Sequence, residues 1–260
     1  MSQAFWSELT IPHGRAARIR IGPLVVTAAR FEREWRIYRR ILEGNDEEIA
    51  IDREIAVEEP SDDAEVTRYA TPNAGERLRI VPVLPDRSVL TRPEHAITIL
   101  PRTEVKLYVG SPLWFRLLHG DDEPLGELPG SPPKEAWVGP STRTGELCYA
   151  TRTYGRLRID DAALLPHRVM TAVTINNGSG LSFVCDHVSL PVRRLSVFAS
   201  TEGRLWTEAV TLERTATDDL AKLEVGKGPP AEARGARLVS GPRDVGETAG
   251  RFRAFDALFR

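Results

Sequence analysis

The chain has 260 residues, 35 Lys and Arg against 37 Asp and Glu, a formal net charge of −2 and 2 Cys. Charged residues at 28% and hydrophobic residues at 41% describe a chain that folds, and they exclude global disorder, a disulfide framework and the strongly basic balance of a dedicated nucleic-acid binder. No apolar run approaches the roughly 18 residues of a membrane-spanning helix, and Met1-Ser2-Gln3-Ala4-Phe5-Trp6 lacks the basic and apolar regions of a signal peptide. A cytoplasmic protein with reduced cysteines is expected.

Between residues 12 and 40, eight Arg face only Glu32 and Glu34, and residues 44–65 hold ten acids against Arg53 alone. The two blocks either attract one another in the fold or are separate solvated faces. Arg18-Ile19-Arg20-Ile21 alternates with period 2, Gly22-Pro23 allows a bend, and Leu24-Val25-Val26-Thr27 resumes a β-branched run. Trp35 to Arg39 alternates again and reads as the next strand, although Phe31, Trp35, Tyr38 and Leu42 also fit a helical face. Strands are expected at 77–81, 96–100, 104–109 and 113–118. A strand at 170–175 runs into the turn Asn176-Asn177-Gly178-Ser179-Gly180, from which 181–188 returns. Residues 195–199 and 204–212 flank Thr201-Glu202-Gly203, and 220–225 closes the sheet. Prolines throughout leave little room for long helices. The segment 124–140 reads as a long surface connection. Trp35, Trp114 and Trp206 are expected in the core.

These patterns predict an all-β protein of β-sandwich architecture with few short helices, built as two packed β subdomains. The expected division is an N-terminal β subdomain at 1–100, a C-terminal one at 101–225, a flexible linker at 226–250 and an amphipathic segment at 251–260. In that last segment Phe252, Phe255 and Phe259 fall on one face of a short helix, with Arg251, Arg253 and Arg260 around it. It either docks into a partner, rests on an anionic membrane or packs back on its own domain.

Residues 137–154 concentrate hydroxyls, arginines and glycines. Trp137, Ser141, Thr142, Arg143, Thr144, Glu146, Tyr149 and Arg152 are the candidate ligand-binding residues, with Arg143 or Arg152 able to grip a carboxylate or phosphate in two-pronged fashion. After Gly145 the alternation of Leu147, Tyr149, Thr151 and Thr153 against Cys148, Ala150, Arg152 and Tyr154 suggests a strand. The alternative is a loop leading into an edge strand whose threonines serve β propensity. The segment has neither the phosphate-loop nor the nucleophile-elbow pattern. Phe5-Trp6 and Trp137 lie near loops or termini, where a ring can stack on a sugar or a partner's side chain. Cys185, Asp186 and His187, with Cys148, His119 or His167, lack zinc spacing, so no metal or cofactor is expected. Ser141 or Cys148 beside one of five scattered histidines leaves a hydrolase as a weaker alternative.

The segments Ile21-Gly22-Pro23-Leu24, Glu34-Trp35-Arg36-Ile37, Gly110-Ser111-Pro112-Leu113-Trp114, Trp137 through Tyr149, and Gly203-Arg204-Leu205-Trp206-Thr207 together resemble an uncharacterised prokaryotic family, a domain of unknown function. The resemblance spans residues 5–225, leaves the tail outside and supplies no catalytic residues. It implies a prokaryotic cytoplasmic β protein. Some relatives are encoded near small-conductance mechanosensitive channels, which implies an accessory role. The expectation is therefore a non-enzymatic binding or accessory protein that recognises a protein partner through the polar loop-strand unit, the Phe/Arg tail or both, with a sensor of a small anion, nucleotide or sugar as the alternative.

Overall fold

A computed structural model describes residues 8–44, 47–138, 145–153, 155–214, 221–244 and 249–252; of Ala221 and of 249–252 it describes the backbone alone. The first strands are β1 (Leu9–Thr10), β2 (Arg15–Ile21), β3 (Leu24–Arg30), β4 (Glu34–Ile41), β5 (Ile49–Ala56) and β6 (Glu65–Ala70). There follow β7 (Arg77–Val83), β8 (Val89–Pro93), β9 (Ile97–Ile99), β10 (Thr103–Pro112), β11 (Trp114–His119) and β12 (Glu123–Pro129). Next come β13 (Glu135–Val138), β14 (Glu146–Thr153), β15 (Arg168–Asn177), β16 (Phe183–Cys185), β17 (Val188–Leu190) and β18 (Val197–Ala199). The last are β19 (Leu205–Trp206), β20 (Val210–Arg214), β21 (Ala221–Val225), β22 (Arg237–Ser240) and β23 (Ala249–Phe252). Three single-turn 3₁₀ helices, at Ile159–Asp161, Val192–Arg194 and Ala231–Ala233, are the helical content of the described residues. The chain is an all-β protein of sandwich type, as its alternation predicts.

Two compact units share the chain. The first takes Met1–Val83, Leu113–Pro132 and Leu164–His167. It holds a sheet of order β1-β7-β11-β12 and a five-stranded antiparallel sheet of order β5-β2-β3-β4-β6. In the five-stranded sheet Ile19, Ile21, Val26, Ala28 and Ile37 line one fully buried face, while arginines occupy the other. Gly22-Pro23 forms a two-residue hairpin loop between Ile21 and Leu24, which pair directly. Gly22 sits at φ 57°, the left-handed region that the first position of a primed hairpin turn demands. Trp35 is completely buried in β4, so this segment is a strand and not a helical face.

The second unit takes Leu84–Pro112, Pro133–Ala163 and Arg168–Arg260. Its largest sheet runs β22-β18-β19-β15-β20-β21-β23, with β10 also paired to β15. The long antiparallel pair β10–β15 runs from Thr103↔Asn177 to Pro112↔Arg168. A second sheet has the order β13-β14-β8-β17, and β16 pairs with β9. Tyr108 and Trp206 meet edge to face, 6.3 Å between ring centroids, in the core cluster of the large sheet.

Several expected features differ. The units are discontinuous in sequence, where a single division near residue 100 was expected, because β11 leaves the second unit's chain to pair with β7 in the first. The expected surface connection at 124–140 contains β12 and β13. A register shift between Leu117 and Leu118 lets the proline-bearing β12 pair there, as bulges do. The strand after Asn176–Gly180 does not return along β15 but pairs with β9. The Asn177 amide, fully buried, donates to the carbonyls of Leu100 and Leu181 at 2.9 Å each and fixes that exit. The expected strand 204–212 breaks at Thr207–Ala209, where the buried Glu208 carboxylate accepts the Ser196 N–H at 2.7 Å. The expected linker 226–250 contains a 3₁₀ turn and β22, which pairs with β18. Trp114 is half-buried, unlike Trp35 and Trp206.

Candidate functional site

In the first unit the arginine face of the five-stranded sheet lines a groove of about 550 Å³. Cross-strand register places Arg18 beside Thr27 and Arg20 beside Val25, with Tyr38 and Arg40 on the next strand. The acidic block closes over them: Arg18 pairs with Glu58 at 3.1 Å, Arg20 with Glu48 at 2.7 Å, Arg39 with Glu65 at 2.7 Å and Arg40 with Asp63 at 3.7 Å. The two charged stretches are therefore partners in one structure. These guanidinium groups already hold carboxylates of their own chain.

The sequence candidates fall on the sheet β13-β14-β8-β17. Trp137 pairs with Leu147, Glu135 with Tyr149 and Ala136 with Cys148. Successive side chains of a strand point to opposite faces, so Trp137, Leu147, Glu135 and Tyr149 share one face while Glu146, Cys148 and Arg152 share the other. Trp137 and Arg152 thus do not converge. Ser141, Thr142, Arg143 and Thr144 lie outside the described residues, as do Phe5, Trp6 and Tyr154.

On the first face Trp137 is 49% exposed and Leu147 37% exposed. The indole passes over Gly145, where an added Cβ would lie 2.3 Å from Trp137 Nε1. The adjoining row is locked by polar contacts. The Tyr149 hydroxyl donates to Asp86 Oδ1 at 2.9 Å, Arg87 pairs with Glu135 at 2.6 Å, and the Arg87 guanidinium lies over the Tyr149 ring, 5.4 Å from its centroid. Burial, and then the bond to Asp86, pushes the Tyr149 phenol up to about 12. Asp86 and Arg87 precede β8 and escaped the sequence reading, because nothing local marks them.

On the second face Glu146 accepts from the Ser88 hydroxyl at 3.1 Å. The buried Cys148 thiol donates to the Ala136 carbonyl at 3.3 Å, and burial pushes it up from its ordinary value. That leaves it bonded to a carbonyl with no histidine partner, which is the opposite of an activated nucleophile. Cys185 is likewise buried, its thiol pushed up to about 12 by burial and then by Asp186. His187 Nδ1 lies 2.6 Å from Asp186 Oδ1. Among the described residues no three His, Cys, Asp or Glu cluster as metal ligands would.

At the far end of the same strand Arg152 stands in register with Arg92 of β8. Arg168 reaches this end from β15. Its Nη2 lies within hydrogen-bonding distance of the carbonyls of Gly110 (2.7 Å) and Arg152 (3.0 Å) and of the Thr151 hydroxyl (3.1 Å). Burial brings the guanidinium down to about 10. Of the tail, Arg251 and Phe252 belong to β23, which pairs with β21, so this part is an extended strand where a helix was expected. Arg253, Phe255 and Phe259 lie outside the described residues.

The chain is a two-unit, all-β protein with buried thiols and without a recognisable catalytic constellation among the described residues. The chain is a member of the family described as protein of unknown function, DUF432, whose model matches residues 5–259. That match reaches into the tail, so the Phe/Arg segment is part of the family's common sequence and not an addition outside it. No curated protein and no solved structure matches the chain. No helix among the described residues is long and apolar enough to cross a membrane.

Proposed function

We propose that this is a non-enzymatic binding or accessory protein that recognises a protein partner through the β13–β14 face. The observation that carries the reading is the exposed pair Trp137 and Leu147, side by side on the edge strand β13 and its neighbour β14, beside polar groups that are already bonded. A half-exposed indole on a rigid support offers a large contact area at small cost in ordering, and aromatic and arginine anchors dominate binding energy at protein interfaces. Arg87 and Glu135 supply a polar rim beside it. The partner implied by the family resemblance is a small-conductance mechanosensitive channel or a protein that accompanies it.

The test compares the wild-type chain with the double variant Trp137→Ala/Leu147→Ala, both confirmed as folded by thermal melts, in quantitative affinity capture from cells of its own source. A partner recovered with the wild-type chain and reduced at least tenfold with the variant is expected, since loss of one interfacial aromatic anchor costs about 2 kcal/mol or more. Equal recovery with both chains contradicts the reading.

A further inference from the structure

Arg92 and Arg152 carry an observation that partner recognition leaves unused. They are direct neighbours on the parallel strands β8 and β14, whose backbones lie about 4.8 Å apart. Both are exposed. Like charges directly opposite one another destabilise a sheet, and here no carboxylate among the described residues pairs with either. Arg77, Arg87 and Arg193 are neutralised by Asp121, Glu135 and Asp244, whereas Arg92 and Arg152 are the pair of unneutralised arginines that strand register sets side by side. Glu94 follows closely in sequence but forms no ion pair with Arg92, and Asp186, near the start of β17, is engaged by His187. A third cation, Arg168, holds the backbone carbonyl of Arg152 and has only carbonyl and hydroxyl acceptors. The end of β14 therefore carries two neighbouring exposed arginines, Arg92 and Arg152, on one face with no counter-charge among the described residues, and a third, Arg168, bonded from the Thr151 side.

We propose that Arg92 and Arg152 form a binding site for a phosphate dianion, free or esterified to a small organic molecule. Two guanidinium forks side by side supply several parallel N–H donors to a single group with three strong acceptor oxygens. A phosphate monoester carries about −1.5 to −2 at neutral pH, which neutralises two arginines where a carboxylate neutralises one. Arg168 is the positioning residue: from the other side of the strand it bonds the Arg152 carbonyl and the Thr151 hydroxyl and fixes the end of β14. The site lies on the face of the sheet opposite Trp137, so it is independent of the β13–β14 surface.

Isothermal titration of the full chain at low ionic strength tests the site, with inorganic phosphate, glycerol phosphate and acetate as separate probes. The variants are Arg92→Gln, Arg152→Gln and, as a charge control, Arg158→Gln, whose arginine is exposed and paired with Asp160. Saturable binding of phosphate or its ester is expected. Each of the first two substitutions should weaken it roughly tenfold or more, and R158Q should leave it unchanged. Binding of the ester alone supports the proposal and assigns a small organic phosphate as the source. Because Arg92 and Arg152 repel each other, R92Q and R152Q should melt at or above the wild-type temperature without ligand, so weaker binding cannot be ascribed to unfolding. Absence of saturable binding to the wild type, acetate binding as tight as phosphate, undiminished binding in R92Q or R152Q, or an equal loss in R158Q would each overturn the proposal. Trp137→Ala/Leu147→Ala should bind phosphate like the wild type, which separates failure here from failure of partner recognition.

Discussion

Tyr149 shows how a single residue anchors the face proposed for recognition. Its ring lies beneath Arg87 and its hydroxyl is held by Asp86, so the row beside Trp137 does not rearrange freely. Burial, and then Asp86, places its ionisation at about 12, and burial, and then Glu232, does the same for Tyr108. Raised phenols stabilise the fold fully below the ordinary value near 10, and that contribution is lost as pH rises from about 10 towards 12. Ultraviolet titration should therefore show Tyr108 and Tyr149 ionising last among the 5 tyrosines, and Tyr149→Phe should remove one late-titrating phenol. Ionisation of every tyrosine near 10 in the folded protein would contradict the buried, bonded state of these two hydroxyls.

Among the elements, β23 decides what the tail does. Its four residues pair with β21 from Ala221↔Phe252 to Glu224↔Ala249, so the start of the terminal segment completes a sheet. Deleting residues 249–260 should bare the edge of β21 and cost about 2–4 kcal/mol, given roughly 0.5–1.5 kcal/mol for each ladder hydrogen bond. The melting temperature should fall by roughly 5–15 °C; an unchanged melt would show that this pairing contributes nothing. Strand identity was legible where alternation is clean, as in Arg18 to Ile21, because period 2 is a local property, and where an apolar run ends on a turn signal, as in Met170 to Ile175 before Asn176-Asn177-Gly178. Pairing partners were not legible. The parallel pair β8–β14 joins residues 60 apart in register, as Arg92 and Arg152 show, and no local signal marks Val89–Pro93 as a strand of interest. For the same reason Trp137, Tyr149 and Arg152 were found from their own composition, while Asp86, Arg87 and Arg92 were not. The alternation after Gly145 did contain the partition of the candidates between two faces.

Across the whole molecule, the chain returns to the first unit at Leu113–Pro132 and again at Leu164–His167, so neither unit is a contiguous piece of sequence. The fragment 1–100 contains β7 but lacks β11 and β12, its partners on one side. Circular dichroism and amide exchange should find that fragment largely unfolded, whereas the full chain is protected; a cooperative melt of the isolated fragment would restore the simple division near residue 100. The pairing of the arginine and acidic blocks within the first unit gives its charges a structural use, and individually exposed pairs of this kind are worth about 0–1 kcal/mol. The proposed recognition surface lies in the second unit, at the exposed Trp137 and Leu147 of β13 and β14. The most direct measurement of that assignment replaces Trp137 with a photo-crosslinking amino acid in cells of the protein's own source, with the same replacement at the exposed Leu157 for comparison. Irradiation should yield a discrete adduct to another protein from position 137 and none of the same mass from position 157. Identical adduct patterns at the two positions, or none at 137, would contradict the account.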